Sequence, residues 1–224
     1  MNYTKQKVSV VIPTLNEEHN LKVLLKKIPS FVYEIIIVDG YSEDKTVSVA
    51  KKHSCKVIFD SEGKGSALIK GLKEAKGDMI ILIDADCSQL PSEFPILIGG
   101  ILAGYDICMG SRFLLGGGTT DMPWYRKLGN KFFVTLVNII WKSSCTDLCY
   151  GYRCVKKKVV NKLNLSVSSF GIETEITIHA IKNKLKILEV PSFEKKRLFG
   201  YGKLKTFKDG YLILKVIISE IFKR

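Results

Sequence analysis

Residues 79–88 read MIILIDADCS, an apolar run from Met79 to Ile83 that stops at two carboxylates, Asp84 and Asp86. An unbroken Met/Ile/Leu run of strand length, with no polar alternation, suits a strand covered on both faces. Buried parallel strands are joined by helices, and the flanking sequence supplies them. Upstream, Val8–Ile12 and Glu34–Val38 are β-branched runs, and Lys56–Phe59 is a shorter one. Between them, Glu17–Lys27 places Leu21, Leu24 and Leu25 on one helical face, with Ile28 just beyond. A second helix is expected to open at Ser42-Glu-Asp-Lys-Thr, with Ser42 as its N-cap. A third runs Gly65–Ala75 and ends at Gly77, and Ser92–Ala103 follows the strand quoted above. The pattern predicts right-handed βαβ units and a mostly parallel sheet flanked by helices, hence the α/β class.

The second half is less regular. Gly116-Gly-Gly-Thr-Thr is a flexible loop, after which Asp121 and Pro123 begin a helix to about Trp141. Further helices are expected over Ile172–Lys182 and in the final stretch, where Phe207, Tyr211, Leu214, Ile218 and Ile221 share one face. Lys186–Val190 and Ser192–Lys196 are expected strands around Pro191. No linker-like stretch divides the chain, so one domain over residues 1–224 is expected.

The 224 residues carry 35 Lys+Arg against 22 Asp+Glu, a formal charge of +13, with 46% hydrophobic residues. That balance suits a packed core and excludes disordered and low-complexity classes. The charge is uneven: residues 182–224 hold 12 Lys+Arg against four acids, a net of +8. Such a field faces something anionic, whether substrate phosphates, lipid or nucleic acid. Cys145, Cys149 and Cys154 cluster, but no CxxC occurs, so buried reduced thiols are expected rather than a metal centre. MNYTKQK runs straight into VSVVI without a signal-peptide pattern, and no segment reaches about 18 uninterrupted apolar residues. The expected location is the cytoplasm, either free or peripheral on the cytoplasmic face of the membrane.

Open α/β sheets bind ligands beyond the carboxyl ends of their strands. PTLNEE (13–18) follows the first strand, Asp39 ends the second, Asp60 to Lys64 follow the third, and Asp84 and Asp86 end the fourth. Residues two apart in an extended segment point the same way. Two such carboxylates repel unless a cation neutralises them, and a divalent ion shared with a diphosphate is the usual answer. Two exposed loop aspartates are the plainer alternative. The phosphate-binding pattern GxxxxGK[ST] and the dinucleotide pattern GxGxxG both fail around Gly63 to Gly65.

In their order and spacing, VSVVIPTLNEEHNL, EIIIVDGYSEDKT, GKGSALIKGLKEAKGD and ILIDADCS resemble the nucleotide-sugar half of the family 2 glycosyltransferases. The later segments GSRF, CYGYR and RLFGYGK resemble the dolichyl-phosphate mannose synthase branch. The resemblance implies a single GT-A domain, with a nucleotide-sugar half over about 7–110. An irregular acceptor half over about 111–205 and an amphipathic C-terminal helix over 206–224 complete it. It further implies a nucleotide-sugar donor, with Pro13, Asn16 and Glu17 lining the nucleotide and Asp39 on base or ribose. Lys64 stands near the donor, Asp84 and Asp86 hold Mg²⁺ or Mn²⁺ against the diphosphate, and Arg197 and Lys203 lie on a loop that closes on phosphate. Two departures stand out: Ser88 replaces a frequent Gln, with Gln89 one place later, and Gly202 replaces a serine. Taken alone, Asn16 and Glu17 serve equally as helix caps, Lys64 as a surface lysine, and Arg197 as part of a solvated basic face.

A sugar hydroxyl needs a general base to attack an anomeric carbon. A phosphate monoester, with a second pKa near ~6, is already largely dianionic at neutral pH and needs only cations and donors to place it. Arg112, Arg126 and Asn130 are the candidates, the last two being i, i+4 on one helix face. The expected catalytic set is thus Asp86, Arg112 and Arg126, with Asp147 as the base if the acceptor is a hydroxyl. Glu173 and Glu175 are further acids, at a helix start where acids also favour the dipole. The expected acceptor is a lipid phosphate, and an anionic membrane surface is a further partner. A basic nucleic-acid-binding module is the remote alternative; no motif for it is present, so no nucleic acid is expected. For the final helix two roles stand open, packing on the core or lying in the headgroup layer.

Overall fold

Val8–Thr14 (β1), Glu34–Asp39 (β2), Lys56–Phe59 (β3) and Met79–Leu82 (β4) are parallel neighbours in the order β3-β2-β1-β4. The computed structural model describes residues 6–203 and 205–223; the leading MNYTK, Leu204 and the basic Arg224 lie outside them. Helices Glu18–Lys27 (α1), Thr46–Lys52 (α2), Lys64–Glu74 (α3) and Phe94–Leu102 (α4) make the crossovers. Ile107–Ser111 (β5) ends this half. Beyond it come Gly118–Thr119 (β6), Trp124–Trp141 (α5), Arg153–Lys156 (β7), Val160–Leu163 (α6) and Ile172–Lys182 (α7). Ile187–Pro191 (β8), Phe193–Glu194 (β9) and Thr206–Phe222 (α8) complete the chain.

The main sheet has seven strands, β3-β2-β1-β4-β7-β5-β8, and only β7 runs against its neighbours. Neither β5 nor β7 is legible as a strand in the sequence. Strand β5 hides at the end of a longer apolar run, and RCVK is too short, with a charge at each end, to show a period. One sheet face packs Val10, Ile12 and Ile81 against Leu21, Leu24 and Leu97. The other packs Val11, Ile36 and Ile80 against Leu68, Leu72 and Ile176. This is an α/β domain with the mostly parallel sheet expected.

Ser42 does not cap α2. That helix starts at Thr46, whose N–H donates to Asp44 Oδ1 at 2.8 Å, while the Ser42 hydroxyl donates to Asp39 at 2.7 Å. The final helix carries two apolar stripes. Ile213, Val216 and Ile217 are buried, with Ile213 and Ile217 packed beside Val137 of α5 and Ile178 of α7. Most of the stripe read from the sequence faces outward, with Phe207 92% and Tyr211 67% exposed. The far end of α8 is clasped to α7: buried Glu220 meets His179 Nε2 at 2.8 Å, Lys182 at 3.1 Å and Lys223 at 2.8 Å. Burial opposes ionisation there, but these cations outweigh it and hold Glu220 down at about 2.

Candidate active site

Where the carboxyl ends of β1 to β4 face α5, α7 and the start of α8, the chain encloses a cavity of about 930 Å³. Pro13, Glu17, Lys64, Asp84, Asp86, Arg112, Arg126, Asn130, Arg197 and Lys203 all line it. Asn16, Asp39 and Asp147 are not on its wall. Asn16 has a left-handed backbone (φ 52°), and its side-chain oxygen accepts from Glu43 N at 2.8 Å, tying the loop after β1 to the loop after β2. Asp39 is fully buried and accepts from Thr14 Oγ1 at 2.8 Å and from Ser42 N and Oγ at 2.7 Å each. Both residues therefore brace the loops at this end of the cavity from behind.

Asp84 and Asp86 share the cavity. Lys64 Nζ lies 2.8 Å from Asp84 Oδ1 and 2.9 Å from Glu173 Oε1. Burial pulls the Lys64 ammonium down, but these two carboxylates outweigh it and hold its pKa above the usual lysine range. Burial, and then the charge of Asp84, push the Asp86 carboxyl up. Gln89 reaches back to Asp84, accepting from its N–H at 2.9 Å and donating to Oδ2 at 3.2 Å. The one-place shift of the glutamine thus still leaves its amide against the first carboxylate. One ammonium shared by Asp84 and Glu173, with Asp86 met by Arg197 only at 3.8 Å, leaves an excess of hard oxygen donors, which fits Mg²⁺ or Mn²⁺. Asp84 and Asp86 are the residues that would hold the ion.

The glycines around Lys64 serve the chain itself rather than a ligand's approach. Gly63 sits at φ 120°, and a Cβ on Gly65 would stand 2.1 Å from Val167 O. Gly65 N–H donates to Ser168 O at 2.7 Å, so this close backbone contact fixes where Lys64 emerges.

Glu17 occupies the N-cap position of α1, yet its side chain makes no capping bond. It instead binds Arg197, with Nη2 at 2.6 Å, and Lys203 at 3.5 Å. Lys203 also donates to Leu15 O. Arg197 Nε is buried without a hydrogen-bond partner, 3.8 Å from Asp86 Oδ2. A buried, unsatisfied N–H on a cation beside the two aspartates is suited to an incoming phosphate oxygen.

On the other side, Arg112 is already engaged. Its Nε and Nη2 form a two-pronged pair with Asp147 at 2.7 and 2.9 Å, and Nη1 meets both oxygens of Glu194 at 3.0 and 3.1 Å. The guanidinium lies over the Tyr150 ring at 4.5 Å. Burial lowers its pKa, but Asp147 and then Glu194 more than reverse that. Asp147, 1% exposed, is consequently occupied and shielded rather than presented to a substrate hydroxyl. Arg126 Nε donates to Thr206 Oγ1 at 2.9 Å, joining α5 to α8. Asn130 Oδ1 accepts from Leu148 N at 3.2 Å and Cys149 N at 3.1 Å, shaping the 147–151 loop. Arg153, fully buried, donates to Tyr150 O at 2.7 Å and Glu173 O at 3.2 Å and so anchors the same loop to α7.

Sequence reading placed no role on Glu194, and it weighed Glu173 only among the acids that could serve as a base, not as the partner of Lys64. The signal for Glu173 is an acid inside the FGIETEI run, on a helix whose residues are buried all round. Its neighbour Glu175 lies outside the cavity lining and accepts from Ser166 and Val167, closing a turn. Glu194 carries no local signal, because its partner Arg112 is 82 positions away.

The family model of glycosyl transferase family 2 matches residues 9–163. The chain belongs to that family. As a family 2 glycosyltransferase it is 39% identical over 212 residues to a dolichol-phosphate mannosyltransferase of Pyrococcus furiosus, covering 89% of this chain and 59% of that one. The chain thus spans about three-fifths of that relative. It is 29% identical to a polyprenol monophosphomannose synthase of Mycolicibacterium smegmatis, covering 89% of this chain and 81% of the relative. These two relatives place it beside the dolichyl-phosphate mannose synthase branch. Its fold matches glucosyl-3-phosphoglycerate synthase of Mycobacterium tuberculosis, solved with Mn²⁺, UDP and phosphoglyceric acid. There the TM-score is 0.78 at 19% identity, covering 99% of this chain and 81% of that one.

Proposed function

We propose that this family 2 glycosyltransferase moves a hexose from a GDP- or UDP-linked donor to a polyprenyl phosphate, with inversion at the anomeric carbon. The observation that carries the reading is the pairing, in one cavity, of the Asp84/Asp86 site with a second group of cations beside an apolar exit. That exit lies between α5 and α8, lined by Tyr125, Phe132, Phe133, Phe207 and Tyr211. Pro13 and Glu17, backed by Asn16 and Asp39, frame the nucleotide. Lys64, Arg197 and Lys203 face its diphosphate. A bound Mg²⁺ or Mn²⁺ supplies charge neutralisation of the leaving diphosphate. An acceptor phosphate oxygen forms the new bond to the anomeric carbon as the bond to the diphosphate breaks, and no proton need be removed. A hydroxyl acceptor would require a base, and Asp147 is committed to Arg112.

Arg126 and Arg112 are assigned to the acceptor phosphate, with Asn130 holding the loop beside them. Arg126→Ala is expected to raise the acceptor KM roughly tenfold or more, since a charge-assisted contact contributes ~1.5–3 kcal/mol. Donor affinity should not change. Steady-state kinetics with a short-chain polyprenyl phosphate check this, and a loss of donor affinity at constant acceptor KM would reassign the residue. The same assay, run over GDP- and UDP-sugars with Mn²⁺, tests the whole reading. Turnover onto a glycan or polyol but never onto the prenyl phosphate would overturn it.

An anionic membrane face is the surface from which such an acceptor arrives. Among the described residues no helix is long and apolar enough to cross a membrane. Trp124 and Ile139 of α5, each 72% exposed, and Phe207 and Phe222 of α8 lie on the outside, and Lys127, Lys131, Lys208 and Lys215 of the same two helices are exposed as well. Basic residues near an anionic leaflet contribute ~1 kcal/mol each. Sedimentation with phosphatidylserine vesicles should show salt-sensitive binding that falls in Trp124→Ser/Phe207→Ser/Phe222→Ser. Deleting α8 is not a usable test, because its other stripe is core. Equal sedimentation of wild type and the triple variant would refute docking through this face.

A further inference from the structure

Arg112 holds its two carboxylates in different ways. Asp147 grips two nitrogens of the guanidinium as a fork, at 2.7 and 2.9 Å, from full burial. Glu194 meets a single nitrogen, Nη1, with both oxygens at 3.0 and 3.1 Å, and its side chain keeps 15% exposure. Forked pairs are the stronger and more directional arrangement, so Glu194 is the exchangeable partner. Arg112 and Glu194 line the cavity, as does Arg126, whereas Asp147 does not. Glu194 is also held from behind: Thr119 Oγ1 donates to its Oε2 at 2.6 Å, and β6 and β9 pair in parallel through Thr119 and Glu194 themselves. Strand β9 leads directly into the segment that carries Arg197.

We propose that Glu194 is a stand-in anion: its carboxylate occupies, on Arg112 Nη1, the seat that the acceptor phosphate takes. This inference rests on the phosphate-acceptor reading above. With Glu194 seated, one guanidinium faces two carboxylates, and a third anion cannot add to them without repulsion. A ligand must therefore displace Glu194. A monoester dianion replaces one negative charge with two, facing Arg112 and Arg126 together, and gains from the exchange. A phosphodiester, carrying one charge, merely replaces like with like and still bears the cost of desolvation. A hydroxyl offers no charge at all. Glu194 thus imposes the same displacement cost on every ligand, one that a dianion facing two arginines offsets in full, and it keeps Arg112 neutralised while the seat lacks substrate.

The test is calorimetric titration of geranyl phosphate and of its methyl diester into wild type, Glu194→Gln and Thr119→Val, with circular dichroism as the check on folding. Wild type should prefer the monoester by about tenfold or more, the scale of one charge-assisted contact. In Glu194→Gln both ligands should tighten severalfold and by a common factor, because the cost of displacing the carboxylate belongs to the free protein and not to the ligand. Thr119→Val, which removes only the hydroxyl that holds Glu194 in place, should tighten both ligands in the same way by less, and it decides the matter if Glu194→Gln fails to fold. Unchanged or weakened binding of the monoester in a folded variant overturns the proposal and marks Glu194 as a structural strut. Titration of UDP or GDP with Mn²⁺ separates the two levels of argument. Nucleotide binding with no binding of the monoester to wild type would sink the lipid-phosphate reading itself.

Discussion

Asp86→Ala is expected to fold normally and to lose at least about 10² in turnover, because the charge developing on the leaving diphosphate is left without its ion, and single stabilising groups at such positions are worth ~3 kcal/mol. Stability should move the other way. Burial and the neighbouring Asp84 raise the Asp86 carboxyl. The folded chain therefore binds this proton more tightly than the unfolded chain does. Between the ordinary aspartate value and the raised one, stability falls as pH rises, and above that window ionised Asp86 is a destabilising charge. Asp86→Asn removes it, so in chelator at neutral pH this variant should melt at or above wild type. Adding Mn²⁺ with nucleoside diphosphate should reverse the order, since only wild type gains the linkage term of ~2.7 kcal/mol at 100-fold excess over Kd. Thermal melts in the two conditions, with turnover measured in parallel, check both halves. An Asp86→Ala enzyme with full activity in chelator would remove the metal from the reading.

How much was legible in the sequence follows from how local each signal is. The buried strands and their helices show in runs of five to ten residues, and the polar loops at their carboxyl ends come into view as soon as the strands do. The ion pairs do not. Glu17 and Arg197 are 180 positions apart, and nothing in LNEEHN says that Glu17 turns toward a basic loop rather than capping α1. The assignment of Asp147 as a base shows the same limit: the residue type was right for the task, but its carboxylate is consumed by Arg112, 35 positions away. The outward stripe of α8 was legible because it is regular. The inward one was not, because Ile213, Val216 and Ile217 are spread among the same residue types, and only α5 and α7 decide which face is covered.

Arg112→Met should be far more damaging to stability than Arg126→Ala, although sequence reading gave the two arginines one role. Arg112 is 5% exposed at its side chain and Asp147 0%, so removing the guanidinium leaves a buried carboxylate without a counter-charge. Breaking a buried pair from one side costs ~3–5 kcal/mol. Against the 5–15 kcal/mol that is typical of a whole domain, roughly, the variant is expected to lie close to unfolding at 37 °C. Asp147→Asn added to Arg112→Met should recover much of the loss, because a neutral amide does not need the cation, and residues in such direct contact are strongly non-additive. Arg126, bonded to Thr206 at the cavity edge, should cost far less, within about 1 kcal/mol. Urea titrations of the two single variants and the double variant measure all three quantities. If Arg112→Met proves as stable as wild type while only the acceptor KM rises, Asp147 does not depend on it, and Arg112 serves the substrate alone.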